Sequence, residues 1–470
     1  MTSPTEPTRD TARRRVRERR RPEAARQPLS DEAEENGAAG VPMLLSPPEG
    51  VPAVTRSPAD IASAARRLAG GRGPLAVDAE RASGFRYWPK AYLVQLRRQG
   101  SGTVLLDPID HPEALEPLAE AINGLEWVLH AADQDLPCLA ELGLRPAKLF
   151  DTELGGRIAG FERVGLAALV ETLLGVGLAK GHGAADWSQR PLPPEWLNYA
   201  ALDVELLLPM REALLEALAE QGKTEWALEE FEYVRMRPPN AQSPDRWRRT
   251  GRIHEAKGRR ALAVVRELWL AREDLARGRD IAPGRVLPDS AIIAAANNAA
   301  LIESLREDAR LGAAPSARSA ALLTALPIFS GPNQGKLANQ WLAAVSRAAN
   351  LPEGELPPVH PKPAPGEVSA RKGRNPLEVA SAKAALAVLA EQHKTPQENL
   401  LSPETVRRLC AWYVEDEGRL AALAPAELAG EVDAFLAEHN ARRWQRNATA
   451  EALAAALLAA KDEAPDETAE

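Results

Sequence analysis

Acidic and phenolic side chains recur in three stretches of the chain, each able to present them on one surface. Leu75-Ala76-Val77-Asp78-Ala79-Glu80 alternates like a strand, so Leu75 and Val77 point one way and Asp78 and Glu80 the other. Carboxylates that close repel unless something positive sits between them. Taken alone, the hexapeptide reads as a strand with an acidic face. His130-Ala131-Ala132-Asp133-Gln134-Asp135-Leu136 ends a buried strand and enters a helix. Strand C-termini are where α/β sheets place ligands. Asp135 and Asp133 are both candidates there, and Asp133 could simply cap the helix. On a third, helical stretch, Tyr199 and Asp203 are four residues apart and share one face.

Brought together, Asp78, Glu80, Asp135 and Asp203 form an oxygen-only donor set suited to hard cations such as Mg²⁺ or Mn²⁺. Two cations about 3.5–4 Å apart can clamp a phosphodiester, one activating the attacking water and the other stabilising the departing oxygen. A tyrosine beside that water can orient it or accept its proton. No His/Cys spacing for zinc occurs. His182, in Lys180-Gly181-His182-Gly183, reads as a loop residue, and His130 as a buried histidine satisfied by backbone. Gly70-Gly71-Arg72-Gly73-Pro74 precedes a strand and lacks the Lys-Ser/Thr of a phosphate loop, so it reads as a helix terminator.

The elements that must position these groups alternate. Pro58 opens a helix to about Ala69. Strands follow at 75–80, 91–96 and 103–106, with a hairpin turn at Gln99-Gly100-Ser101-Gly102. Further helices are expected from His111, Asp133, Thr152 and Leu166, with a strand at 126–130. A long helix is expected from Pro194 to about Gln221. This pattern predicts an α/β domain over 46–221, a mixed sheet covered by helices. Residues 1–45 read as a disordered tail, basic and then acidic. Residues 222–257 read as a basic linker or arm. Its Trp247 packs on a neighbouring domain, and some of its arginines meet phosphate. Two all-α blocks are expected at 258–330 and 376–460, joined by a linker at 331–375 and followed by an acidic tail at 461–470.

Composition narrows the classes. A chain of 470 residues exceeds one typical core, so two to four domains are expected. Aromatics are only 4%, so the cores must rest on Ala, Leu and Val. A net charge of −8 argues against a uniformly basic coat and leaves local patches to decide nucleic-acid binding. The two cysteines, Cys138 and Cys410, exclude a disulfide framework and fit a reducing compartment. No apolar run approaches the roughly 20 residues of a membrane span, so a cytoplasmic protein with no membrane partner is expected.

Three motifs give the chain a resemblance. Val77-Asp78-Ala79-Glu80, His130 to Leu136, and Tyr199-Ala200-Ala201-Leu202-Asp203 occur in the order of the DEDD exonuclease superfamily. Their form is that of the subgroup whose third motif carries tyrosine. Tyr92-Leu93-Val94-Gln95-Leu96 and Lys180…Asp186-Trp187…Arg190-Pro191-Leu192 look like the ribonuclease D family within it. Alanine between the first acids and Gln134 before Asp135 depart from the pattern, but neither is a ligand position. The resemblance implies a ribonuclease H-like exonuclease domain followed by HRDC-like helical domains. By it, Asp78, Glu80, Asp135 and Asp203 bind two divalent cations, Mg²⁺ or Mn²⁺, and Tyr199 positions the nucleophilic water. Gln95, Lys180 and Arg190 are expected substrate contacts. The implied reaction is stepwise 3′→5′ hydrolysis of tRNA-like RNA 3′ ends to nucleoside 5′-monophosphates, by a monomer. The same carboxylates would serve a single-stranded DNA exonuclease. A silent RNA-binding scaffold would require a lost ligand, and all four are intact.

Overall fold

A computed structural model describes residues 40–179, 181–238, 245–360 and 376–462. The expected tails at 1–45 and 461–470 therefore fall largely outside the described residues, as does Lys180. So do 239–244 of the expected arm and 361–375 of the expected linker. In chain order the α/β part comprises β1 (Met43–Leu44), β2 (Val54–Thr55), α1 (Pro58–Ala69), β3 (Arg72–Arg81), β4 (Ala91–Gln99) and β5 (Gly102–Leu106). There follow α2 (Glu116–Ile122), β6 (Glu126–Leu129), α3 (Leu136–Glu141), β7 (Lys148–Asp151), α4 (Thr152–Ala159) and α5 (Leu166–Leu174). It ends with β8 (Gly177–Leu178), α6 (Pro194–Glu205), α7 (Leu207–Glu220) and α8 (Thr224–Met236).

Local chemistry explains how β3 is delivered. Ser57 caps α1 by accepting from the Asp60 N–H, and Pro58 sits in its first turn. Arg66 and Arg67 oppose the dipole in its last turn. Gly70 closes the helix and the strand begins two residues later, so the glycine cluster is a terminator. Six strands then pair in the order β2-β5-β4-β3-β6-β7, with β3 antiparallel to β4 and parallel to β6. This is the mixed sheet the alternation predicted. Register sets Asp78 opposite Gln95 and Glu80 opposite Leu93, with an irregularity after Glu80. Over that face lies α6, whose Ala200 and Ala201 pack with Leu93 and Leu105. Small side chains there let the helix approach the strands closely.

The long helix expected from Pro194 is broken at Leu206 (φ −106°, ψ 3°) into α6 and α7. The helix expected from Asp133 begins instead with a 3₁₀ turn, Ala132–Gln134, before α3.

Residues 222–257 are not a simple linker. Within them α8 buries Phe231 against Phe150, ring centroids 4.8 Å apart. Trp247 is 2% exposed in the core of the first helical domain, as the packing reading required. That domain extends past its expected end. After α9 (Gly258–Arg279) and shorter helices, Ala338–Asn350 forms a helix with Trp341 fully buried, and its core reaches Leu356. The second block is built on Pro376–His393, Pro403–Glu415, Pro425–Glu438 and Arg443–Asp462, around its own core. No described helix is long and apolar enough to cross a membrane. Cys138 and Cys410 are buried and free.

Candidate metal-binding active site

Three elements converge at the C-terminal end of β3. The strand itself delivers Asp78 and Glu80, the turn after β6 delivers Asp135, and α6 delivers Tyr199 and Asp203. Carboxylate oxygens of Asp78, Glu80 and Asp203 lie within 4.8 Å of one another. Asp135 lies beside Asp78, and the Tyr199 hydroxyl beside Asp203. All five line a cavity of ≈ 330 Å³, together with Arg81, His130, Gln134, Glu153 and others.

The electrostatics of this cluster are unfavourable in a specific way. Burial first, and then mutual repulsion, pushes Glu80 up to about 10. Burial likewise raises Asp78, Asp135 and Asp203, with the Asp78 charge adding to the last two. Burial and the neighbouring carboxylates hold the Tyr199 phenol above its usual range, so it keeps its proton. Among the described residues one cation stands close: Arg81 Nε is 3.4 Å from Asp135 Oδ1, while its other nitrogens donate to the Gln134 carbonyl at 2.9 Å and side chain at 3.3 Å. Asp135 Oδ1 is buried and makes no hydrogen bond. Clustered carboxylates with an oxygen to spare fit divalent cations, which accept oxygen donors alone.

The other expected residues are distributed differently. Gln95 is fully buried across the strand pair from Asp78, and neither of its amide atoms finds a hydrogen-bond partner among the described residues. It lies beneath α6 and is not among the residues that line the cavity. Arg190 is held elsewhere. Its guanidinium is bound to Asp107 at 2.7 and 2.9 Å and to the carbonyls of Tyr92 and Trp187 at 2.8 Å, away from the cavity. Asp133 neither lines the cavity nor caps a helix; it is exposed and pairs with Arg237 at 3.6 Å. His130 hydrogen-bonds with the Thr152 hydroxyl at 2.9 Å rather than with backbone, and burial lowers it to about 4. His182 lies edge-on to Tyr199, ring centroids 5.9 Å apart.

Arg81 and Asp151 are the residues that sequence reasoning passed over. Asp151, at the end of β7, accepts the N–H groups of Ala131, Ala132, Glu153 and Leu154 at 2.8–3.1 Å. It thereby caps α4 and holds Ala131 in left-handed backbone (φ 56°), the turn that aims Asp135 into the site. Local strain of this kind persists only where the surroundings fix it. The signal was present: an aspartate between a strand and a helix is an N-cap pattern.

Comparisons with known proteins place the chain among nucleases. A family model described as "3'-5' exonuclease" matches residues 53–219, and one described as "HRDC domain" matches 261–300. The second helical block, expected to be HRDC-like, is matched over 371–457 by a model described as "3' to 5' exonuclease C-terminal domain". Ribonuclease D of Gluconacetobacter diazotrophicus is 32% identical over 340 residues, 71% of this chain and 80% of that protein. Ribonuclease D of Granulibacter bethesdensis is 30% identical over 341 residues, with the same two coverages, 71% and 80%. A solved structure from Bifidobacterium adolescentis shares 37% identity with a TM-score of 0.72, covering 89% of this chain and 99% of its own. Escherichia coli RNase D, described as an exoribonuclease involved in structured RNA processing, shares 26% identity with a TM-score of 0.55, covering 82% and 98%.

Proposed function

The chain belongs to the ribonuclease D family, and on that premise we propose that it trims the 3′ ends of tRNA precursors and other small structured RNAs to release nucleoside 5′-monophosphates. It is a 3′→5′ exoribonuclease by that membership. We read it as a monomer that works in the cytoplasm. The observation that carries the reading is the buried carboxylate cluster, three members of which bring oxygens within 4.8 Å of one another without a matching set of cations among the described residues.

In this proposal Asp78, Glu80, Asp135 and Asp203 hold two divalent cations, Mg²⁺ or Mn²⁺. When bound, such a pair activates water and stabilises the departing 3′-oxygen of the penultimate nucleotide. The protein's own groups do the rest. Tyr199, beside Asp203 at the rim of the cluster, orients the water through its hydroxyl. Arg81, anchored on Gln134, keeps Asp135 turned into the site. Asp151 fixes the turn beneath both.

The substrate is tested by sequencing 3′ ends trimmed from a mixed RNA pool in Mg²⁺, with matched single-stranded DNA as control. The expected result is shortened tRNA-like 3′ ends with 5′-mononucleotide release and little DNA trimming. Equal trimming of DNA, or products ending in 3′-phosphate, would overturn the proposal.

A further inference from the structure

The loop joining β3 to β4, residues 82–90, leaves the sheet just after Arg81, at the same end of the strand as Glu80. Its sequence interleaves rings and cations: Phe85-Arg86-Tyr87-Trp88-Pro89-Lys90. Arg86 ties one side of this loop to the segment that runs on from the cavity, since its Nε donates to Ser188 Oγ at 2.8 Å, five residues past the cavity-lining Gly183.

The first helical domain grips the other side. Asp280, in left-handed backbone (φ 49°) just after α9, accepts the N–H groups of both Tyr87 and Trp88 at 3.1 Å. The Tyr87 hydroxyl donates to Glu273 at 3.1 Å, and Arg285 Nε donates to the Gly84 carbonyl at 2.7 Å. The Ala282 N–H donates to the Phe85 carbonyl at 2.9 Å.

Held this firmly, the loop still leaves the Trp88 indole 43% exposed, edge-on to Tyr87 with centroids 5.2 Å apart. The same loop gathers cations on its other rings. The Arg285 guanidinium lies 4.0 Å from the Phe85 ring centroid, Arg277 lies 5.9 Å from that of Tyr87, and the Lys90 side chain is exposed. A firmly held loop that carries an exposed indole and gathers cations matches the two needs of a single nucleic-acid strand, a stacking face for a base and positive charge for its backbone.

We propose that Trp88 stacks an unpaired base of the incoming strand, 5′ of the bond to be cut, and that Asp280 positions it across the domain boundary. The inference rests on the exonuclease reading above and adds a specificity element to it. Stacking of this kind acts only on substrates long enough to reach the shelf, which distinguishes it from a general loss of structure.

The test compares wild type, Trp88→Ala, Trp88→Phe and Asp280→Ala, each as the full chain in Mg²⁺. The substrates are a 5′-labelled dinucleotide and unstructured oligoadenylates of about 4–16 nucleotides, the range of single-strand site sizes. For Trp88→Ala the expected result is a KM about fivefold to a hundredfold higher on the longer oligomers, with kcat and dinucleotide cleavage unchanged. Trp88→Phe should recover most of the affinity, and Asp280→Ala should shift KM in the same direction by less. Equal kinetics of Trp88→Ala and wild type at every length would overturn this inference alone. So would a loss that is the same for the dinucleotide. Wild-type protein that cuts no oligomer would overturn the exonuclease reading and this inference with it.

Discussion

Glu80 and Glu230 are both buried carboxylates, 7% and 5% exposed, and their surroundings could hardly differ more. Glu230, on α8, accepts from both Arg442 Nε and Arg442 Nη2, and from Trp444 Nε1 at 2.9 Å. Around it, Trp226 stacks on Trp444 with centroids 4.7 Å apart, and the Thr395 hydroxyl donates to the Ile158 carbonyl at 3.1 Å. This is how the second helical block is fastened to the α/β domain. Glu80 instead faces Asp78, Asp203 and Asp135, with Arg81 as the cation nearby. Burying a charge is tolerated when it is paired and hydrogen-bonded, and is costly otherwise. A buried carboxylate completed from within holds the structure together. One left incomplete marks a place that something from outside must complete.

The largest expected effect breaks the comparison on its functional side. Asp203→Asn should lower hydrolysis of a labelled RNA 3′ end by about a thousandfold or more, which is ~4 kcal/mol of transition-state stabilisation. RNA binding should stay close to wild type. Because one repelling charge is gone, the metal-free variant should also melt a few degrees higher than wild type. Trimming that continues in excess Mg²⁺ would sink the metal assignment, and a lower melting temperature would sink the repulsion argument.

Glu230→Gln should do the opposite, lowering stability and sparing hydrolysis. Leaving the half-buried Arg442 without its anion should cost about 2 kcal/mol of stability in chemical denaturation, with amide exchange rising first in residues 425–462. Dinucleotide hydrolysis by the folded variant should be unchanged. A stable variant with reduced turnover would mean that this interface serves catalysis, and the contrast would fail. Smaller again is Tyr199→Phe. It keeps every carboxylate and removes only the water-orienting hydroxyl, so a loss of about tenfold in kcat is expected, ~1.4 kcal/mol. The thermal shift on adding Mg²⁺ should survive. If that shift disappears, the tyrosine has a structural part in the cluster.

What was legible in the sequence follows from how far each feature reaches. Asp78 and Glu80 share a face because a strand has a period of two, and Tyr199 and Asp203 because a helix turns in 3.6 residues; both are local rules. The burial of Gln95 is not local. It depends on α6 lying over β4, a helix that begins about a hundred residues later. Arg190 looked available until Asp107, 83 residues away, was folded against it. Pro332-Asn333-Gln334-Gly335 resembles a linker in composition, yet Gln334 accepts from Trp341 Nε1 at 2.9 Å and donates to the Val286 carbonyl at 2.7 Å, closing the first helical domain. The break at Leu206 was legible: Pro209, three residues on, has no N–H to bond the Glu205 carbonyl, so one continuous helix could not pass through it.

The most gradual expected effect is a slope in pH, and it bears most directly on whether Glu80 is incomplete. Its carboxyl is raised from about 4.5 unfolded to about 10 in the folded protein, chiefly by burial and then by Asp78. Between those values the folded state binds the proton that the unfolded state has lost, so stability must fall as pH rises. The contribution is fully present below about 4.5 and is lost as pH climbs towards 10. Asp151, raised to about 6 by burial, adds the same sign at the acidic end. In EDTA, the free energy of urea unfolding should therefore decline from pH 5 to 9, by at most about 1.4 kcal/mol per pH unit for one group. Saturating Mg²⁺ should flatten the decline, because a cation takes the place of the proton. Glu80→Gln should make it shallower without metal, the remaining slope coming from Asp78, Asp135 and Asp203, whereas Glu230→Gln should lower the whole curve and leave its slope alone. Stability that rises with pH in EDTA would mean that the cluster is already neutralised from within, and that Glu80 and Glu230 are alike after all.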